Sequence, residues 1–325
     1  MSVHRLVPSI YYYTFGPNKP AVLARSGDTI IAETRDAFGL DACGNSLPDD
    51  MKQVVEGTIL KESNPVVGPV YVEDAEPGDL LAVHIREIRI MGTRAKSKQS
   101  AHFGSLTGEG LGHRLLYNEP IETVWYEWTL DLEQGVGVLE LPGSRMRSVA
   151  VPLDPFIGSI GVAPRFGRIE TTLTPGEFGG NLDCVETRPG TTILLPVWVR
   201  GAYLAFGDVH ALQGDGELNG TALEVPAEVT LDLEVVKGSS AEWPRMIDDS
   251  HIMVAGSTRP LMDCVRIAQL ELLDWLVNTY GFSKEDGWQL NSAVGTMRIG
   301  NVVDPNYTVV AKFPRAFLPA PGRAN

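Results

Sequence analysis

The chain has 325 residues, 43% hydrophobic and 21% charged, with a formal net charge of −14 at pH 7. That length can bury a full hydrophobic core, and the balance is that of an ordinary globular protein rather than a disordered one. The acidic excess argues against nucleic acid and anionic membrane surfaces as partners, because both need clustered Lys and Arg, and it suits a neutral or cationic small substrate.

No apolar run approaches the roughly 20 residues that span a bilayer. Met1–Arg5 leads directly into Val7–Tyr13 and a Gly16-Pro17 turn, without the apolar segment and small-residue cleavage site of a signal peptide. A cytoplasmic location is therefore expected. Cys43, Cys184 and Cys264 are odd in number and far apart, so they imply no disulfide framework or zinc knuckle.

In chain order, about the first two thirds read as β-rich, with Gly and Pro as turn punctuation between short apolar stretches. Val70–Val72 and Leu81–Arg86 predict strands flanking a Glu76-Pro77-Gly78-Asp79 turn, with Leu81, Val83 and Ile85 on one face and His84 and Arg86 on the other. Val185-Glu186, Pro189-Gly190 and Ile193–Val199 repeat the pattern. Residues 65–90 and 182–203 are thus expected to form equivalent strand–turn–strand units, although Pro-Gly turns before strands are common in their own right. After residue 256 the pattern becomes helical. Thr258 is positioned to cap a helix carrying Leu261, Val265, Ala268, Leu272 and Trp275/Leu276, with Gly281 as its stop. Ser283 is positioned to cap a second short helix, and strands are expected at Met297–Val303 and Tyr307–Phe313. The expected organisation is a β-rich region over 1–155, a central β region carrying the site over 156–245, and an α+β region over 246–325. No low-complexity linker divides them, so they are expected to pack as one body.

Chemistry concentrates in Gly207-Asp208-Val209-His210 and the following Gln213-Gly214-Asp215-Gly216-Glu217. On an extended strand Asp208 and His210 share a face with Val209 opposite, a natural pair of Zn²⁺ ligands. The glycines at 214 and 216 let the chain turn and bring Glu217 back. Asn181 and Asp183 in Gly179-Gly180-Asn181-Leu182-Asp183-Cys184 have the same spacing, and Asp36–Asn45 offers further acids, Asp41 among them. These donors suit a hard or borderline divalent cation. The competing reading is that such acids cap their own turns. His84 reads as a solvated strand residue, and His102 is the strongest outsider among the other histidines. No GxSxG elbow, Walker A loop or HExxH helix occurs, and Gly108–Gly112 lacks dinucleotide-binding spacing.

Five ordered motifs carry a resemblance over nearly the whole chain: Gly68-Pro69-Val70-Tyr71-Val72-Glu73 with Glu76–Asp79, Gly161-Val162-Ala163-Pro164, Gly179–Asp183, Gly207–His210 and Gln213–Glu217. Ser292–Gly295, Val302-Val303-Asp304 and Asn306 are also similar. In these the chain resembles the acetamidase/formamidase family. The resemblance implies a mainly β fold with a duplicated sandwich or barrel core and a smaller carboxyl-terminal α+β portion. It also implies homo-oligomeric assembly and hydrolysis of formamide or short aliphatic amides. The sequence departs from that pattern at Phe178, where many members carry His, and at Thr296, where an acid is common.

The expected mechanism is metal-assisted hydrolysis of a small primary carboxamide with release of ammonia. Zn²⁺ would be held by Asp183, Asp208 and His210, with Asp41 completing the shell or holding a second cation such as Ca²⁺. Glu217 or Glu177 would shuttle the proton, and Asn181 and Gln213 would orient the amide. Two rivals remain open: a β-barrel metalloprotein with Fe or Mn oxygen chemistry, and a non-catalytic homologue with a structural cation.

Overall fold

A computed structural model describes residues 1–54, 63–100, 103–105, 122–238 and 241–319. His102, His113 and Gly108–Gly112 lie outside the described residues. No helix among those described is long and apolar enough to cross a membrane.

Two large sheets dominate. The first has nine strands in the order Val3–Leu6, Thr29–Glu33, Ala227–Val236, Leu80–Ile90, Thr192–Pro196, Arg245–Ile247, His251–Thr258, Tyr307–Pro314 and Thr296–Ile299. The second, of ten strands, runs Arg147–Pro152, Val136–Leu141, Val124–Asp131, Arg94–Gln99, Glu224–Val225, Leu204–His210, Phe156–Gly161 and Gly179–Asn181. Val66–Val72 and Val22–Ala24 join it alongside Leu204–His210. Alternation explains how the sheets meet. Leu81, Val83 and Ile85 enter one buried cluster with Val229, Leu231 and Leu233 of the first sheet, and Val67, Ile157, Ile160, Phe206 and Val209 of the second. His84 is half-buried and Arg86 exposed, as the spacing predicts.

His251–Thr258 is buried on both faces: Met253 and Ala255 join the inter-sheet cluster, while Ile252 and Val254 pack with Ala268, Leu272, Trp275 and Leu276 of the helix Leu261–Tyr280. The fold is therefore mainly β with a carboxyl-terminal helical portion, as expected.

The duplication is visible in the register. The two Pro-Gly turns are 112 residues apart in sequence, and each leads from a strand in the second sheet to one in the first. Leu80–Ile90 and Thr192–Pro196 pair antiparallel, with Thr192 opposite His84 and Pro196 opposite Leu80. Ala82 faces Leu194, its own equivalent at that offset, so the pairing is symmetric about this point. The second unit differs from expectation at its start. Its first strand, Gly179–Asn181, ends before residue 182, so 182–203 holds only the turn and the second strand.

Two further expectations need correction. Thr258 does not cap the helix, because its backbone pairs with Tyr307 in the sheet; the helix starts after Pro260, without a side-chain cap. Ser283 does cap Lys284–Val294, accepting from the Asp286 amide. The strand expected over Met297–Val303 ends at Ile299, and Gly300–Asp304 turns inward, where Asn301 and Asp304 are buried.

Candidate metal centre

Leu204–His210 is buried along its whole length. It pairs with Phe156–Gly161 along one edge, and with Val66–Val72 and then Glu224–Val225 along the other. A side chain from its carboxyl-terminal end is therefore shielded from bulk solvent. The backbone is bent where the polar groups converge. Asn64, Asp183, Asp208 and Glu217 all have positive φ (55°, 47°, 55° and 48°), a region most non-glycine residues avoid. The simple extended-strand account of Asp208 and His210 is thus incomplete: Val209 does point into the core, but a left-handed residue aims the Asp208 carboxylate. Such local strain clusters at functional sites.

His210 is fixed by its neighbours. Gln213 Nε2 donates to the Asp183 carbonyl at 2.8 Å and the Gly300 carbonyl at 3.0 Å, so its Oε1 faces His210 Nδ1 at 2.9 Å as an acceptor. Nδ1 must then carry the hydrogen, which leaves Nε2 as the nitrogen turned to the centre. Phe156 packs edge-on against the ring, centroids 5.0 Å apart. Nε2 lies 3.4 Å from Asp208 Oδ1 and 3.2 Å from Glu224 Oε2, yet these atoms make no aligned hydrogen bond. Asp183 Oδ1, Asp208 Oδ1, His210 Nε2 and Glu224 Oε2 are all buried without a hydrogen-bond partner, four of the six such atoms among the described residues.

Ligand atoms of Asp208, His210 and Glu224 fall within 4.8 Å of one another, as do those of Asp183, His210 and Glu217. Unpaired buried charges cost several kcal/mol each. Orphaned oxygens converging with an imidazole nitrogen are the arrangement a divalent cation satisfies, and these buried groups can hold one.

A polar frame surrounds the donors. Asn181 Nδ2 donates to Asp183 Oδ2 (3.0 Å) and Asp304 Oδ2 (2.8 Å), while its Oδ1 accepts from Ser159 Oγ and from Asn64 Nδ2 (3.3 Å). Asn64 Nδ2 also donates to Asp208 Oδ2 at 2.8 Å. Every donor and acceptor of the Asn181 and Gln213 amides is thereby engaged within the site. Gly158 is required by close approach: a Cβ there would lie 2.8 Å from Asp183 Oδ1 and 2.9 Å from Asp208 Oδ2.

Electrostatics express the same crowding. Burial, followed by the charges of Glu217 and Asp304, holds the Asp183 carboxyl well above the usual range. Burial does the same to Glu217, raises Glu224, and pushes Asp304 up to about 7. Burial alone would lower His210, but the carboxylates of Glu224 and Asp208 outweigh it and raise the imidazole well above its ordinary value.

A cavity of about 240 Å³ reaches the centre, lined by Asn64, Asn181, Asp208, Glu217, Glu224 and Asp304 at its polar end. Ala37, Phe38, Phe103 and Leu173 supply apolar wall. At roughly 30 Å³ per water it has room for about eight waters, below the range of drug-sized ligand pockets.

The structure brings together Asn181, Asp183, Asp208, His210, Gln213 and Glu217. It does not bring Asp41 or Glu177 to them. Asp41 accepts from the Cys43 and Asn45 amides and pairs with Arg35 at 3.4 Å, closing its own turn. Glu177 pairs with Arg168 at 2.9 Å. The Cys184 thiol is buried, which raises its pKa. Sequence reasoning missed Glu224, Asp304, Asn64 and Ser159 as members of the site. A signal existed for Asp304, within the Val302-Val303-Asp304 motif; Glu224 sits in Leu223-Glu224-Val225 like any polar strand residue.

Comparison with known proteins places nearly the whole chain in a family. Residues 14–170 and 167–318 match the profile described as the Acetamidase/Formamidase family. The crystal structure of an acetamidase from Yersinia enterocolitica is 34% identical, with a TM-score of 0.85, covering 98% of this chain and 93% of that one. The structure of an acetamidase from Bacillus halodurans is 30% identical, with a TM-score of 0.80, covering 97% and 98%. The acetamidase of Mycolicibacterium smegmatis is 25% identical over 66% of this chain, and the aligned region spans 63% of that relative's length.

Proposed function

The chain belongs to the acetamidase/formamidase family, and from that premise we propose that it is a metal-dependent hydrolase releasing ammonia from a small primary carboxamide. The observation that carries this reading is a pair of buried donor triads sharing His210, Asp208–His210–Glu224 and Asp183–His210–Glu217, with four unpartnered atoms among them and Asp208, Glu217 and Glu224 lining a small cavity. We assign the cation, Zn²⁺ by its mixed imidazole and carboxylate donors, to Asp183, Asp208, His210 and Glu224. Glu224 takes the place that sequence reasoning gave to Asp41. A divalent cation there supplies Lewis-acid polarisation of a carbonyl and lowers the pKa of water. Gln213 fixes the His210 tautomer, and Asn181 braces Asp183, so both amides hold other groups rather than the substrate.

Glu217 lines the cavity, and its raised proton affinity suits it to take a proton from the attacking water and deliver it to the departing nitrogen. The cavity's size supports a short acyl group. The test is ammonia release from formamide, acetamide, propionamide and bulkier amides: turnover should be confined to the small members. No release from any of them would overturn the reading.

The raised acids make a linkage prediction. A carboxyl whose pKa is raised on folding adds stability below its unfolded value, and that contribution is lost as pH rises through the folded one. For Asp304 the window runs from about 4 to about 7, and the raised groups around it act with the same sign. Cation binding needs these groups ionised and opposes the loss. The difference in Tm between metal-loaded and metal-stripped protein should therefore widen, by several degrees, from pH 5 to pH 7.5. A constant difference would show that the buried acids do not sense the ion.

A cytoplasmic homo-oligomer completes the proposal. Leu270 and Trp288 on the two helices, and Met297 on the strand that follows, are all about half exposed or more, apolar groups suited to a second copy. Sedimentation should show an oligomer that Leu270→Glu weakens; a wild-type monomer at micromolar concentration would contradict it.

A further inference from the structure

A second cavity, of about 400 Å³, lies on the other side of Glu224. It reaches the surface at the exposed Ala42, Cys43 and Gly44, and its inner end holds Asp36 and Glu224, both buried. Among the described residues Glu224 alone lines both this cavity and the one at the centre, so the two adjoin at this residue. The strand Arg94–Gln99 runs beside both, placing Lys96 on the wall of the second and Lys98 on the wall of the first.

Four carboxylates line the second cavity, Asp36, Asp41, Glu127 and Glu224, against the two cations Arg94 and Lys96. Glu127 and Asp41 are drawn towards arginines, Arg94 at 4.0 Å and Arg35 at 3.4 Å. At the inner end Glu224 Oε2 lies 3.2 Å from His210 Nε2 at the centre, and Asp36 Oδ1 accepts from the Phe38 and Leu40 amides. A passage walled in this way favours a small cation and repels a carboxylate.

Amide hydrolysis yields two products of opposite charge at neutral pH, a carboxylate and ammonium. We propose that the second cavity receives the ammonium past Glu224 and leads it to the surface near Cys43, leaving the first cavity to the amide and the carboxylate product. The proposal rests on the reading of the chain as an amide hydrolase. It assigns the acids of the second cavity to a stage after the chemistry, and it gives the two products separate exits.

Cys43 provides the test, because it is the one exposed cysteine; Cys184 and Cys264 are buried. The metal-loaded enzyme is labelled at Cys43 with a small thiol reagent, methyl methanethiosulfonate, or with a bulky one, fluorescein maleimide. If ammonium leaves this way, the bulky label should slow product release. The rate constant kcat should then fall by about fivefold or more while kcat/KM for the amide stays within about twofold, since kcat/KM does not register steps after the first irreversible one. The small label should change neither, and Cys43→Ser enzyme should be indifferent to both reagents.

An unchanged kcat with the bulky label overturns the proposal. So does an equal fall in kcat and kcat/KM, which would place the label's effect on amide entry. An unlabelled enzyme that releases no ammonia from any amide would instead overturn the parent reading, and this one with it.

Discussion

Asp208→Asn should leave the chain folded, strip it of its cation and lower ammonia release at least about a hundredfold. Asp208 Oδ2 accepts from Asn64 Nδ2 at 2.8 Å, and its Oδ1 is an unpartnered atom facing His210 Nε2. An asparagine of the same shape has two orientations, and both fail. With its oxygen towards Asn64, its NH₂ points at the cation; reversed, it sets one NH₂ against another. Replacing a residue that merely supports a ligand typically costs about 10–100-fold in metal affinity, and losing a ligand should exceed that. Elemental analysis beside thermal melting checks both halves. A folded variant with full metal and normal turnover would remove Asp208 from the site.

Glu217→Gln should behave differently. Its turn is pinned from outside: the Gly216 amide donates to Ile299 and Gly300, and the Val302 amide to Gly216. Gly216 itself has φ +89°, a conformation L side chains rarely adopt. Glutamine should therefore keep the shape and lose only the exchangeable proton. General acid–base catalysis contributes about 10²–10⁴-fold, so kcat should fall by about that factor with metal content near wild type. Metal loss would make Glu217 a ligand through its contact with Asp183 and His210. Near-normal turnover would move the proton-transfer role elsewhere. Glu177→Gln should do little, because that side chain sits against Arg168.

What could be read in advance was what lies close along the chain. Asp208, His210 and Glu217 are separated by a few residues and glycine turns, so local geometry alone brought them together. Asn181 and Asp183 are legible for the same reason. Glu224 and Asp304 arrive by long-range pairing, which no periodicity reports: Glu224 faces the centre because its short strand pairs opposite His210 and Lys96. Asp41 misled because a self-capped turn and a ligand loop share the same small residues and acids. At the fold level, strand alternation fixed the faces of Leu80–Ile90, whereas Thr258 read as a helix cap when the sheet had already claimed its backbone. The early end of the strand at Ile299 has a comparable cause, since Gly300 and Asn301 are drawn into the site's hydrogen bonds.

A cation at the Asp183, Asp208, His210 and Glu224 donors is the centre of the proposed chemistry. Its most direct test is ammonia release from formamide and acetamide by protein stripped with a strong chelator, assayed before and after adding back Zn²⁺. The stripped protein should be folded and inactive, and about one equivalent of Zn²⁺ per chain should restore turnover. Full turnover by protein shown to be metal-free would contradict the account.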